Sequence, residues 1–305
     1  MLLGYSTAAR ICAVSEGVNK SGVSRPSAPF FADFEQRCPN LRRLHLSNAN
    51  LKAPLPASVE FLALSESWLS PSGWPASRFD AESQTVTLPR LTEVELVGVK
   101  LRKGTMAALP ASVERLKIRN TSLPENCFLR LSQSDPADQA VVSASRLAEI
   151  DLSDSSQLTS LDAYNITKAW PHVTTIKLNR CINAFSSPHV LHIHNNLDGV
   201  EVLEANDVWL CDRYIRRFCR KFRTLRRLSV AGSQLNTHRA WSIVEKLTKL
   251  ESLDVSGCRQ LHRVAFFLFA KLKPTLRFLD VSDTNVDSGT VDVLRLWMPD
   301  CEVVH

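Results

Sequence analysis

Glycine is scarce in this chain, ten residues in 305, and none of them forms a G-x-x-x-x-G-K or G-x-G-x-x-G pattern. Loops of that kind let backbone amides cradle a phosphate, so nucleotide-dependent chemistry has no foothold here. Eight cysteines occur without a single C-x-x-C pair. Scattered thiols in apolar contexts argue against a zinc site and against a disulfide framework, and they fit a reducing, intracellular compartment. No apolar run reaches the roughly 18 residues that span a bilayer, and no membrane span is expected. Acid is missing from one long stretch: no Asp or Glu lies between Arg213 and Val244.

The histidines do not fill the gap. His189, His192 and His194 stand close together in "PHVLHIHNN", but no cysteine or carboxylate in that segment completes a tetrahedral ligand set. No metal, cofactor or catalytic residue is therefore assigned, and the chain reads as a non-enzyme.

Apolar residues make up 44 % of the chain, enough for a continuous core, and Lys and Arg exceed Asp and Glu, 37 to 31, giving a pI near 9.0. That excess favours acidic proteins, anionic lipids or nucleic acid without choosing among them. Within the first thirty residues Arg10, Lys20 and Arg25 face only Glu16, amid serines, as in an organellar leader. A docked tail in a cytoplasmic protein is the favoured reading, and a mitochondrial location is the alternative.

Internal repetition dominates what is there. The pattern L-x-x-L-x-L begins at Leu41, Val59, Leu91, Val113, Leu147, Val173, Val200, Leu225, Leu250 and Leu276, and "MPDCEVV" at 298 to 304 reads as a truncated eleventh copy. In x-L-x-L the two apolar side chains share one face of a short strand, which alone buries almost nothing. Stacked in parallel, each inward aliphatic gains about 1.5–3 kcal/mol over exposure. From Leu147 onward the starts are 26, 27, 25, 25 and 26 residues apart, against 18, 32, 22 and 34 before it. Apolar spacing in "NTHRAWSIVEKL" and "HRVAFFLFAKL" predicts helices behind the regular strands. "LPASVE" at 55 to 60 and 109 to 114 predicts extended or turn-like segments behind the irregular ones. The fold expectation is α/β: a repeat solenoid with a curved parallel sheet on the concave side, helices on the convex side of the C-terminal half and irregular convex segments in the N-terminal half. Residues 1–40 form a tail and cap, with Phe30, Phe31 and Phe34 over the first repeat; 41–146 hold the irregular repeats, with insertions at 70–88 and 124–146; 147–305 hold the regular ones and a C-terminal cap.

"LESLDVSGCRQL", "VTTIKLNRCINAF" and "LRFLDVSDTNV" resemble leucine-rich repeats, in particular the cysteine-containing subfamily of F-box-type receptors. The resemblance covers about 265 residues. It implies that Cys181 and Cys258 are packing residues buried at the turn after the strand. Ala49, Ser67, Val99, Thr121 and Ser233 stand at that position elsewhere, which predicts a less regular turn.

Two surfaces are candidates for partner binding. At 100° per residue, Ile215, Phe218, Cys219, Phe222 and Leu225 share one arc of a convex helix, and Arg213, Arg216, Arg217, Arg220, Lys221 and Arg223 spread over the other side. Like charges one turn apart slightly destabilise a helix, which points to a docked anionic partner. The second surface is the concave face, read from the central position of L-x-L: His45, Ala63, Glu95, Lys117, Asp151, Lys177, Glu204, Ser229, Asp254, Asp280 and Glu302. Arg115, Lys117 and Arg119 cluster in one repeat, Asp151 and Lys177 follow, and the row ends acidic at Asp254 and Asp280. Carboxylates repel phosphates, so this face suits a protein better than RNA.

These readings predict a scaffold or interaction subunit, monomeric within a hetero-complex, binding proteins with acidic surface and with RNA phosphate contacts as the lesser expectation. Two alternatives remain: a substrate receptor of a ubiquitin ligase, against which stands the lack of an F-box-like helical run before the repeats, and a structural subunit of a ribosome or other ribonucleoprotein.

Overall fold

The computed structural model describes residues 41–51, 55–75, 78–80, 85–87, 90–102, 104–121, 123–124, 145–159, 162, 166, 170, 172–184, 199–208, 219–220 and 222–305. The cap residues Phe30, Phe31 and Phe34 lie outside them, as do His189, His192 and His194 and most of the insertion at 124–146. The chain divides into two compact units, Met1–Ala148 and Glu149–His305.

In the first unit every L-x-L core becomes a strand: β1 (Arg43–Ser47), β3 (Phe61–Ser65), β7 (Glu93–Val97) and β9 (Arg115–Arg119), parallel and in that order. Their register sets Leu44 beside Leu62, Val94 and Leu116, and Leu46 beside Leu64, Leu96 and Ile118. All of these are at most 2 % exposed. A second parallel sheet follows the turns: β2 (Asn50–Leu51), β4 (Trp68–Leu69) and β8 (Lys100–Leu101). It stacks Leu51, Leu69 and Leu101 into the same core. The hairpin β5 (Arg78–Asp80) and β6 (Thr85–Thr87) is antiparallel and falls inside the insertion at 70–88. The two "LPASVE" segments make one and the same turn, with Val59 N–H donating to Pro56 at 3.2 Å and Val113 N–H to Pro110 at 3.1 Å.

The second unit stacks seven parallel three-residue strands: β10 (Glu149–Asp151), β11 (Thr175–Lys177), β12 (Val202–Glu204), β13 (Arg227–Ser229), β14 (Ser252–Asp254), β15 (Phe278–Asp280) and β16 (Glu302–Val304). One buried apolar residue from each, Ile150, Ile176, Leu203, Leu228, Leu253, Leu279 and Val303, faces the next in exact sequence order. Helices follow the last three inner strands: α1 (Thr237–Lys246), α2 (Arg263–Phe269) and α3 (Ser288–Trp297). Asn236 caps α1 by accepting from Arg239 N–H at 3.0 Å, and Asp287 caps α3 by accepting from Thr290 N–H at 2.8 Å. Both side chains satisfy amides that have no partner inside the helix. α1 turns Ala240, Ile243 and Val244 inward, and α2 turns Ala265, Phe266 and Phe269 inward.

Two backbone ladders hold the repeats in phase. The carbonyl two residues before a strand's first core aliphatic accepts two consecutive N–H groups from the next repeat. Arg226 O accepts from Glu251 and Ser252 at 2.7 and 2.9 Å, and Arg42, Glu60, Thr92, Thr174, Glu201 and Glu251 act alike. After each strand the second residue past the last core position has positive φ, and it is Asn, Asp or Gly in every copy except Glu66 and Arg180: Asn48, Glu66, Gly98, Asn120, Asp154, Arg180, Asp207, Gly232, Gly257 and Asp283. The turn predicted to be irregular is uniform in all ten copies. The side chain after it is buried in nearly all of them and is small throughout; Ala49, Val99 and Val208 only fill the space, while several others also donate to the preceding repeat. Cys181 Sγ donates to Leu152 O at 3.0 Å, Ser233 Oγ to Ala205 O at 3.3 Å, and Cys258 Sγ to Val230 O at 3.3 Å. In the first unit Thr121 Oγ1 reaches Leu96 O at 3.4 Å.

Candidate functional site

The alternation that buries one side of each strand exposes the other, so the candidate residues stand on sheet faces, one in each unit. In the first unit Arg115 and Arg119 are exposed and Lys117 is half-buried, between the buried Leu116 and Ile118. Glu93, on the adjacent strand, ties two of the three cations together: Arg115 lies 3.0 Å and Lys117 3.3 Å from its carboxylate. Burial alone would raise the Glu93 carboxyl, but hydrogen bonds and charge from Arg115 and Lys117 outweigh it and hold it below its ordinary value. One of the cluster's positive charges is thus offset within the face, by a carboxylate that Arg115 and Lys117 share. At the start of this face Arg42 pairs with Glu60, and the Arg43 guanidinium sits 4.2 Å over the Phe61 ring. Arg42, Arg43, Phe61, Thr92 and Arg115 line an open hollow of about 190 Å³ there.

The face of the second unit is a continuous polar chain. Lys177 lies between Glu149 at 3.5 Å and Glu204 at 3.2 Å. Asn179 Nδ2 donates to the other Glu204 oxygen at 3.1 Å, and Asn206 N–H donates to Asn179 Oδ1 at 3.0 Å. Ser229 Oγ stands 2.7 Å from both Asn206 Oδ1 and Asp254 Oδ2, its one proton serving either. Desolvation opposes the Lys177 charge, but Glu204, Glu149 and Asp151 together outweigh it and raise its pKa above the ordinary lysine value.

The acidic residues of this face have a second task. Asp151, Asp254 and Asp280 each begin D-[LV]-S, and each carboxylate accepts from the serine N–H two residues on, at 3.0, 3.0 and 2.9 Å. This closes the start of the left-handed turn. Asp151 is 1 % exposed and presents no carboxylate to a partner, whereas Asp254 and Asp280 are half-buried. The end of the row needs correcting. Register places Val304, not Glu302, opposite Asp280, and Glu302 opposite Phe278, because the last copy runs one residue shorter between its apolar positions.

Of the basic helix, Arg213, Arg216, Arg217 and Lys221 lie outside the described residues. Arg220 and Arg223 are described and exposed, flanking the buried Cys219 and Phe222. Acid reaches this region from the following repeat: Arg226 pairs with Glu251 at 2.7 Å, a partner 25 residues away that a local window of sequence does not contain.

The described thiols offer no nucleophile. Burial pushes Cys181, Cys258 and Cys301 up to about 11 and Cys219 up to about 12. A thiol with such a pKa is almost entirely protonated at neutral pH. Among the described residues no three His, Cys, Asp or Glu side chains converge as a metal set, and no helix is long and apolar enough to cross a membrane. No protein-family model matches the chain, and no curated protein matches it.

Proposed function

We propose that the chain is a leucine-rich-repeat protein that works as a non-enzymatic interaction subunit, holding protein neighbours in a larger assembly through the strand faces of its two units. The observation that carries this reading is the polar chain from Glu149 through Lys177, Glu204 and Asn206 to Asp254. Its side chains are already fixed by one another, so a partner that binds them has less rotamer freedom to freeze, and association keeps more of its interaction energy. Its charge is mixed and on balance acidic, one cation among three carboxylates, which matches a protein surface of complementary pattern and not a polyphosphate. The sharing of Glu93 between Arg115 and Lys117, which sets an acid among the cations, weighs in the same direction for the first unit.

The test is affinity purification of the tagged chain from its native cells, with Lys177→Glu, Asp280→Lys and Arg115→Glu variants beside the wild type and with a nuclease arm. Proteins that survive nuclease and drop out with one or more of the face variants support the reading. Loss of every partner on nuclease treatment replaces it with a ribonucleoprotein subunit, and recovery of cullin-type proteins replaces it with a ligase receptor.

A further inference from the structure

Four of the five large apolar side chains exposed among the described residues stand on three successive helices: Trp241 (44 % exposed) on α1, Val264 (60 %) on α2, and Leu296 (78 %) and Trp297 (48 %) on α3. α2 packs against both α1 and α3. The Phe267 ring of α2 meets Trp297 at 5.4 Å between centroids, which joins the patch across that pair of helices. The inward sides of α1 and α3 are already filled by Ala240, Ile243, Val291 and Leu294, and the two tryptophans on the outward sides, though partly covered, leave nearly half of their surface to solvent. A polar residue would serve solubility better at each of these positions.

The patch also carries charge of one sign on its rings. Lys271 Nζ lies 4.4 Å over the Trp241 ring and Arg263 Cζ lies 5.6 Å over the Phe267 ring. Lys271 makes no ion pair among the described residues, and Arg263 makes none either, although the charge of the Asp287 carboxylate that caps α3 reaches it. Tryptophan and arginine are the residues that most often dominate binding energy at protein interfaces, where an apolar centre is ringed by polar groups. The acids of the same helices are engaged: Glu245 with Lys246 at 2.6 Å, and Asp292 with Arg295 at 3.5 Å.

We infer that the outward side of α1, α2 and α3 is a docking surface for an acidic segment of another protein, which seats aliphatic or aromatic side chains against Trp241 and Trp297 and sets carboxylates on Arg263 and Lys271. A bilayer of anionic headgroups fits less well. Glu245 lies one turn from Trp241 and Asp292 one turn from Leu296, with side chains 49 % and 74 % exposed, and a charged plane would meet both carboxylates together with the rings. A peptide can place its own charges at the two cations alone. The inference is independent of the strand faces, since loss of partners at Lys177 or Asp280 leaves it untouched.

The experiment uses the full chain with p-benzoylphenylalanine in place of Trp297, photolysed in native cells, the cross-linked segment being mapped by mass spectrometry. The expected result is an adduct with a segment of net negative charge, whose yield falls at least about tenfold when Arg263→Glu and Lys271→Glu are introduced together. Thermal unfolding of the doubly substituted chain is measured beside it, and it should match the wild type because both side chains are on the surface. The inference is overturned by no adduct, by a neutral or basic segment, by a yield indifferent to the charge reversal, or by an adduct with a second copy of the chain. Co-sedimentation of the purified chain with vesicles of phosphatidylcholine and 30 % phosphatidylserine, abolished by the same double substitution, overturns it in favour of a membrane surface.

Discussion

The Cys258 thiol donates to the backbone carbonyl of Val230, one repeat earlier, at 3.3 Å. Cys181 makes the equivalent bond to Leu152, and Ser233 makes it to Ala205 with a hydroxyl in place of the thiol. Each bond satisfies a carbonyl at the strand-to-turn junction and clips one repeat to the next. Cys258→Ala removes the donor and leaves a small void, and is expected to lower stability by about 1–2 kcal/mol. Cys258→Ser keeps a donor that Ser233 shows to be compatible with the site, and should lose less than half as much. Denaturant midpoints of the two variants decide the matter: equal losses would mean that packing volume, not the hydrogen bond, is what the thiol contributes.

Gly232 sits at φ +65°, and a Cβ there would collide with the Asp207 carboxylate, which occupies the same turn one repeat earlier. Gly232→Ala therefore meets both left-handed backbone strain and a steric clash, and should cost about 1–2 kcal/mol. Adding Asp207→Gly removes the clash and leaves the strain, so the double variant should recover part of the loss. Thermal unfolding of the four members of this cycle measures the coupling, and strict additivity would show that the clash is relieved by side-chain rotation.

Two linked titrations bound the pH range. Glu93 has a folded pKa below its ordinary 4.5, so its contribution is present above that value and is lost as pH falls through the lower folded pKa. Lys177 has a folded pKa above its ordinary 10.5, so its contribution is present below that value and is lost as pH rises through the higher one. Melting temperature against pH should fall less steeply at the acid end in Glu93→Gln and less steeply at the alkaline end in Lys177→Met. Each substitution should leave the opposite limb unchanged. At neutral pH Lys177→Met also leaves Glu149 and Glu204 facing each other without their cation, a loss of about 1 kcal/mol for these quarter-exposed groups.

Much of this architecture is legible in the residues. The spacing of Leu44 and Leu46, repeated through Leu279 and Val281, places ten strands and tells their inward side chains from their outward ones, because a period of two leaves no other choice. "NTHRAWSIVEKL" marks α1 by its apolar spacing and Asn cap. Other features depend on neighbours that no local window contains. The left-handed turn carries Asn, Asp or Gly, the types that tolerate it, in all copies but two; bonds between repeats hold Glu66 and Arg180 in the same conformation, and at those two residue type does not mark it. Strands β2, β4 and β8 are two residues long, too short for any periodicity. The double role of Asp254 and Asp280 emerges only when the turn N–H two residues on is seen to point back at the carboxylate. The outward Trp241 and Trp297 carry no period at all, and only their exposure distinguishes them from core aromatics such as Phe266 and Phe269.

The size of the chain's native particle bears most directly on whether it is an interaction subunit. Gentle extraction from its own cells, followed by native gel filtration with immunodetection of the chain, should place it well above its own 34.1 kDa and keep it there after nuclease treatment. Elution at the mass of the single chain, or collapse to that mass when RNA is digested, would contradict a protein scaffold.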